Sequence, residues 1–111
     1  MFFMEKGTIV KIRFKRFFKE QRLWVFVGKV LESKDGWVKI HGKGILFNPG
    51  KNDPIDIDDQ ARTLFCPNDS INYVRVLPDN FDITQIETFR RDYRWFIKVP
   101  KGPDTSLGEG T

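Results

Sequence analysis

The dipeptide Asp35-Gly36 constrains this chain more than any other two residues in it. Asp-Gly between two apolar, β-branched runs is the strongest short signal for a two-residue hairpin, because both central positions of that turn need positive φ. The run before it, Leu23 to Ser33, and the run after it, Trp37 to Phe47, therefore read as paired strands. Gly28 interrupts the first and Gly42 and Gly44 the second, which predicts sharp bends or close backbone approach.

Three more strands follow from local pattern. From Thr8, Val10, Ile12 and Phe14 alternate with Lys11, Arg13 and Lys15, a period of two that predicts a half-buried strand with a basic outer face. That stripe continues into Arg16, Lys19 and Arg22, and reads either as a second nucleic-acid face or as a solvated strand face. The adjacent pair Phe17 and Phe18 cannot both face one core, so one is expected to be exposed or at a subunit interface. Residues 61–66 form a short fourth strand, Pro67-Asn68-Asp69 a tight turn, and residues 71–77 a fifth strand. Between the third and fourth strands, residues 48–60 carry four Asp, two Pro and a Gly, and read as a long acidic loop. Five short, strongly bent strands predict an all-β fold, a small antiparallel barrel of the SH3-like class.

Beyond Pro78 the pattern changes. Asp82 and Gln85 have the spacing of a capping box, Phe81 and Ile86 that of a hydrophobic staple, and Ile83, Ile86, Phe89, Tyr93 and Phe96 recur every three or four residues. An amphipathic helix over 83–95 is expected, closing a single domain of residues 1–96, with 97–111 a flexible tail.

Composition narrows the chemistry. One Cys and one His, Cys66 and His41, exclude an internal disulfide and leave too few ligands for a Cys/His metal site. Asp53, Asp56, Asp58 and Asp59 lack the spacing of a calcium loop, so no metal or other cofactor is expected. No acid/base pair, nucleophile or phosphate loop is recognisable, and the expectation is a protein that is not an enzyme. Neither a membrane-crossing run nor the regions of a signal peptide can be read in the sequence; a cytoplasmic location and no membrane partner are expected. Residues 1–43 hold eleven Lys/Arg against four Asp/Glu, whereas the remainder is net acidic, so the basic half favours an anionic partner, RNA or DNA ahead of a membrane surface.

Two stretches then resemble the motifs of the Sm/LSm/Hfq family. In the first, Gly28, Val30, Asp35, Trp37 and Val38 fall in the family's order with one residue deleted, and Lys39 stands at the usual Asn position. In the second, Cys66, Asp69, Ile71, Tyr73 and Val74 match in register, and Pro67-Asn68 replaces the usual Arg-Gly pair. The resemblance implies a homo-oligomeric ring in which the fourth strand of one subunit pairs with the fifth of the next. It also implies that single-stranded RNA is held at turns around a pore, with Trp37 as stacking platform and Lys34, Asp35, Lys39, Asn68 and Asp69 around it. The competing reading is a structural or protein-interaction module on the same kind of barrel.

Overall fold

A computed structural model describes residues 4–16, 23–48, 52–100 and 102–107. The strands are β1 (Ile9–Phe14), β2 (Trp24–Lys34), β3 (Trp37–Phe47), β4 (Ile55–Ile57), β5 (Arg62–Pro67), β6 (Ile71–Val76), β7 (Thr88–Arg91), β8 (Arg94–Ile97) and β9 (Thr105–Ser106). All pairings are antiparallel. Six strands make one sheet in the order β4-β3-β2-β1-β6, with β5 also pairing β3; the last three make a second sheet. The all-β expectation therefore holds, and among the described residues no helix is long and apolar enough to cross a membrane.

The Asp35-Gly36 turn joins two eleven-residue strands, Lys34 facing Trp37; Gly36 takes φ +88° and Asp35 does not take positive φ, so the hairpin forms without the doubly left-handed turn expected from the sequence. Gly28 lies opposite Gly42 in the ladder, and the register shifts further on, between Val30 and Glu32. A Cβ on Gly42 would stand 2.0 Å from the Val27 carbonyl oxygen, and one on Gly28 would stand 2.5 Å from that of His41. Only glycine lets the two backbones approach so closely. Long β3 serves two neighbours, with residues 37–42 pairing β5 and residues 45–47 pairing β4. β4 lies inside the segment expected to be loop; Ile55 and Ile57 are half-buried against the core, which is enough to hold three residues in the ladder.

The large sheet has a core on each face. Val10, Ile12, Phe14, Phe26, Val30, Val38, Ile40, Cys66 and Ile71 meet on one side. Because β5 and β6, at opposite margins, feed this same cluster, the sheet must curl around it. One turn of 3-10 helix, Asn68–Ser70, links those margins. On the other side Ile9, Val25, Val27 and Ile45 pack under Leu77, Phe81, Ile97, Val99 and Leu107, which belong to the C-terminal segment and its small sheet.

That second layer corrects three expectations. No helix forms over 83–95. Phe89 and Phe96, which fit a helical stripe, also lie directly opposite each other in the β7–β8 hairpin, with ring centroids 5.6 Å apart. The hairpin wins because 88–97 is rich in aromatic and β-branched residues and can bury Trp95 and Ile97 against β2 and β3. Asp82 still caps, but it caps an isolated turn, accepting hydrogen bonds from the Thr84 backbone N–H (2.9 Å) and hydroxyl (2.6 Å). Those bonds, with a smaller contribution from the Lys43 charge, hold its carboxyl below the ordinary carboxylate value. The tail expected from 97 onward is packed through Leu107, with Thr105, Ser106 and Leu107 buried and β9 paired to β8. Finally, the basic outer face of β1 is not solvated: Lys11 is buried against β9 and Arg13 is buried too, and of the predicted stripe Lys15 and Arg16 are exposed. Phe17, Phe18, Lys19, Arg22 and residues 108–111 lie outside the described residues.

Candidate nucleic-acid interface

Strand alternation decides which side chains can form a site. On β3 the odd-numbered residues Trp37, Lys39, His41 and Lys43 share the face opposite to Val38 and Ile40, the same face that carries Ile45 into the second core. The small sheet covers this face at Ile45 and leaves the other end of β3 accessible. Register with β5 sets Trp37 beside Pro67, Lys39 beside Phe65 and His41 beside Thr63. Register with β2 adds Lys34 beside Trp37, Glu32 beside Lys39 and Lys29 beside His41.

The result is an aromatic strip flanked by cations. Phe65 is 62% exposed, and its ring meets that of Trp37 edge to face at 5.1 Å. Lys34 Nζ lies 5.6 Å from the Trp37 ring centroid and Lys39 Nζ 5.5 Å from that of Phe65. Such positions are within cation–π range. Lys34 also pairs with Glu32 at 3.0 Å, an exposed bridge of little energetic weight. His41 Nδ1 and Thr63 Oγ1 are 2.9 Å apart, which fixes the imidazole ring against β5.

The six residues expected to act together are brought together. The Asn68 backbone N–H donates to the Gly36 carbonyl at 2.8 Å, so the 3-10 turn carrying Asn68 and exposed Asp69 abuts the hairpin turn carrying Lys34 and Asp35. Phe65 was not among the expected residues, nor were Lys29, His41 and Lys43. The signal for the β3 residues lay in the alternation Trp37, Lys39, His41, Lys43, which the sequence displays once β3 is taken as a strand. Phe65 needed the β3–β5 register, which no local pattern supplies.

The expected secondary face is a different environment. Lys11 Nζ donates to Thr105 Oγ1 (2.7 Å), the Ser106 carbonyl (2.5 Å) and Tyr73 Oη (3.1 Å), and lies 5.0 Å from the Tyr73 ring centroid. Burial, and then repulsion from Arg75 and Arg13, brings its pKa down from 10.5 to about 7. Arg75 in turn donates to the carbonyls of Pro103 (2.8 Å) and Asp104 (3.1 Å). These cations fasten the C-terminal segment to β1 and β6 and are not presented to a ligand.

No family model, curated protein or solved structure matches this chain. Among the described residues no three His, Cys, Asp or Glu side chains converge as metal ligands. Of the loop aspartates, Asp58 accepts from the Gly44 N–H at 2.9 Å and faces Arg62 at 3.4 Å. The Cys66 thiol is buried, and burial pushes its pKa up to about 11, far from the range of a nucleophile at neutral pH.

Proposed function

We propose that this chain is an Sm-like small barrel that assembles into a homo-oligomeric ring and binds single-stranded RNA. The observation that carries the reading is the strip on β3 and β5. Trp37 and Phe65 brace each other edge to face, with Lys34 and Lys39 at their rings. Unpaired bases stack on such platforms with about 1–3 kcal/mol each, and flanking lysines neutralise the phosphates between them. A braced ring loses little side-chain entropy when a base arrives.

Sheet order supports the barrel and the ring. β6-β1-β2-β3-β5, with one 3-10 turn between β5 and β6, is the strand succession that a five-stranded small barrel needs. Among the described residues β5 pairs β3 alone and β6 pairs β1 alone, so each has a second edge to offer. Pairing β5 of one subunit with β6 of the next would cover both, as the family resemblance implies. The same edges also favour the competing reading, because Phe65 and Val76 expose large apolar surface there, as a protein-interaction module would.

Sedimentation of the purified chain, followed by titration of a labelled single-stranded oligonucleotide, separates these readings. A multi-subunit mass and salt-sensitive RNA binding that falls in Trp37→Ala and Phe65→Ala are expected. A monomer would refute the ring. An oligomer that retains no RNA at low salt would leave the interaction module.

A further inference from the structure

We propose that the β7–β8 hairpin is a second contact for the same nucleic acid, an arginine-and-tyrosine tip that takes the sugar-phosphate backbone of the single strand. The inference rests on the RNA reading above but concerns a different element. Its starting point is that the tip is built from locally unfavourable choices. Both turn residues, Asp92 at φ +50° and Tyr93 at φ +69°, occupy the left-handed region that a two-residue hairpin needs; Asp tolerates it, but an aromatic residue there is rare and strained. Arg91 and Arg94 face each other directly across the strands, a like-charge pair that opposes the hairpin. Tyr93 is 89% exposed, so its ring contributes nothing to the core. Strain of this kind clusters at functional sites, ligand clamps among them.

The arrangement of the guanidiniums indicates the ligand. Arg91 Cζ lies 5.1 Å from the Phe89 ring centroid and 5.4 Å from that of Phe96, and Arg94 Cζ lies 5.5 Å from Phe96. Arg90 Cζ lies 5.4 Å from the Tyr93 ring. A guanidinium held against a ring keeps its donors in a fixed fork, and that fork matches two phosphate oxygens. The acids nearby are Asp92 within the turn, Asp104, 3.6 Å from Arg91, and Glu87, which faces Lys98 at 3.9 Å. Three arginines and Lys98 against these three carboxylates leave the hairpin cationic. An exposed Tyr between them supplies a stacking surface for a base. A membrane-inserting tip would present Phe89 and Phe96 outward; here guanidiniums cover those rings.

The test is fluorescence anisotropy of a labelled single-stranded RNA with the full chain between 50 and 200 mM salt. The variants are R90Q/R91Q/R94Q, R90K/R91K/R94K, Y93G and W37A/F65A, each with a thermal melt. Neutralising the tip is expected to reduce the slope of log K against log salt by about 2, at roughly 0.7 per phosphate contact in a single strand. The lysine variant should keep that slope yet bind several-fold more weakly, having charge without the fork. Y93G should melt at a higher temperature and still lose on the order of 10-fold in affinity, a combination that a merely structural role does not produce. Wild-type affinity and slope in the neutralised variant, with a wild-type melt, would overturn the tip even if W37A/F65A abolishes binding. Tip-dependent binding that ignores W37A/F65A would instead overturn the β3–β5 strip and keep the tip. Retention on phosphatidylserine vesicles with no RNA binding would overturn both.

Discussion

Replacing Lys11 with Met should change how stability depends on pH. Lys11 is fully buried, and its pKa falls from 10.5 to about 7 because the ammonium loses its hydration beside Arg75 and Arg13. That gap corresponds to roughly 5 kcal/mol held against the charged form. Below pH 7 the lysine is protonated in both folded and unfolded chains, and the whole penalty is present. Between 7 and 10.5 the unfolded chain binds the proton and the folded chain does not, so stability rises with pH by roughly 1.4 kcal/mol per unit from this group. Methionine cannot titrate, and the variant lacks this rise. It also deprives the Ser106 carbonyl and the Thr105 hydroxyl of a donor, at about 1–3 kcal/mol, independent of pH. Urea unfolding of both proteins at several values between pH 7.5 and 9.5 measures the difference. Other groups that titrate alike in the two proteins cancel, and Lys11→Met should lose ground by about 3 kcal/mol across that interval. A difference that stays constant with pH would refute the argument, whatever its sign.

Further outcomes follow from close packing and strain. Gly42→Ala should destabilise by about 3 kcal/mol or more in denaturant melts, since its Cβ would stand 2.0 Å from the Val27 carbonyl oxygen and the neighbour is backbone. Asp92→Asn with Tyr93→Gly should raise stability by about 1–2 kcal/mol, because Asn-Gly accepts the left-handed turn without the side-chain clash. Cys66, buried and with its thiol pushed up to about 11, should resist iodoacetamide at pH 8 and react once urea unfolds the chain. Trp37→Ala should weaken binding of a single-stranded oligonucleotide by about 1–3 kcal/mol with little change in its salt slope, the signature of stacking and not of phosphate contact.

Local signals were sufficient for the large sheet. Asp35-Gly36 located the central hairpin, alternation located β1, and the Pro67-Asn68-Asp69 turn located β6, each to within a residue or two. The clustering of Lys34, Trp37 and Lys39 with Asn68 was implied by the family resemblance, and the β3–β5 pairing with the Asn68–Gly36 hydrogen bond brings it about. The burial of Lys11 was not legible. Alternation separates two faces of a strand, but it cannot say that both are covered; here the Lys11 face is roofed by residues about ninety positions away. The hairpin at 88–97 failed for a different reason. Spacings of three, four and seven satisfy a helix, while the same Phe89 and Phe96 satisfy a strand pair centred between Asp92 and Tyr93, and tertiary burial of Trp95 and Ile97 chose between them.

The doubly covered β1 also bears on how the chain reaches its fold. The β2–β3 hairpin closes over two residues, on the microsecond scale of such turns, whereas β1 meets β6 by joining Val10 to Val76. The seam between the chain's distant parts carries the larger loop-closure cost, and it is where Lys11 and Arg13 must shed water. A slip of one residue at that seam would turn those charges into the cluster of Phe26, Val38 and Ile40. Burial of Lys11 and Arg13 therefore bears on strand register. Such a slip strips two charges of water with no partner in reach, at several kcal/mol for each ion, so the pairings Val10–Val76 and Ile12–Val74 are favoured over their neighbours.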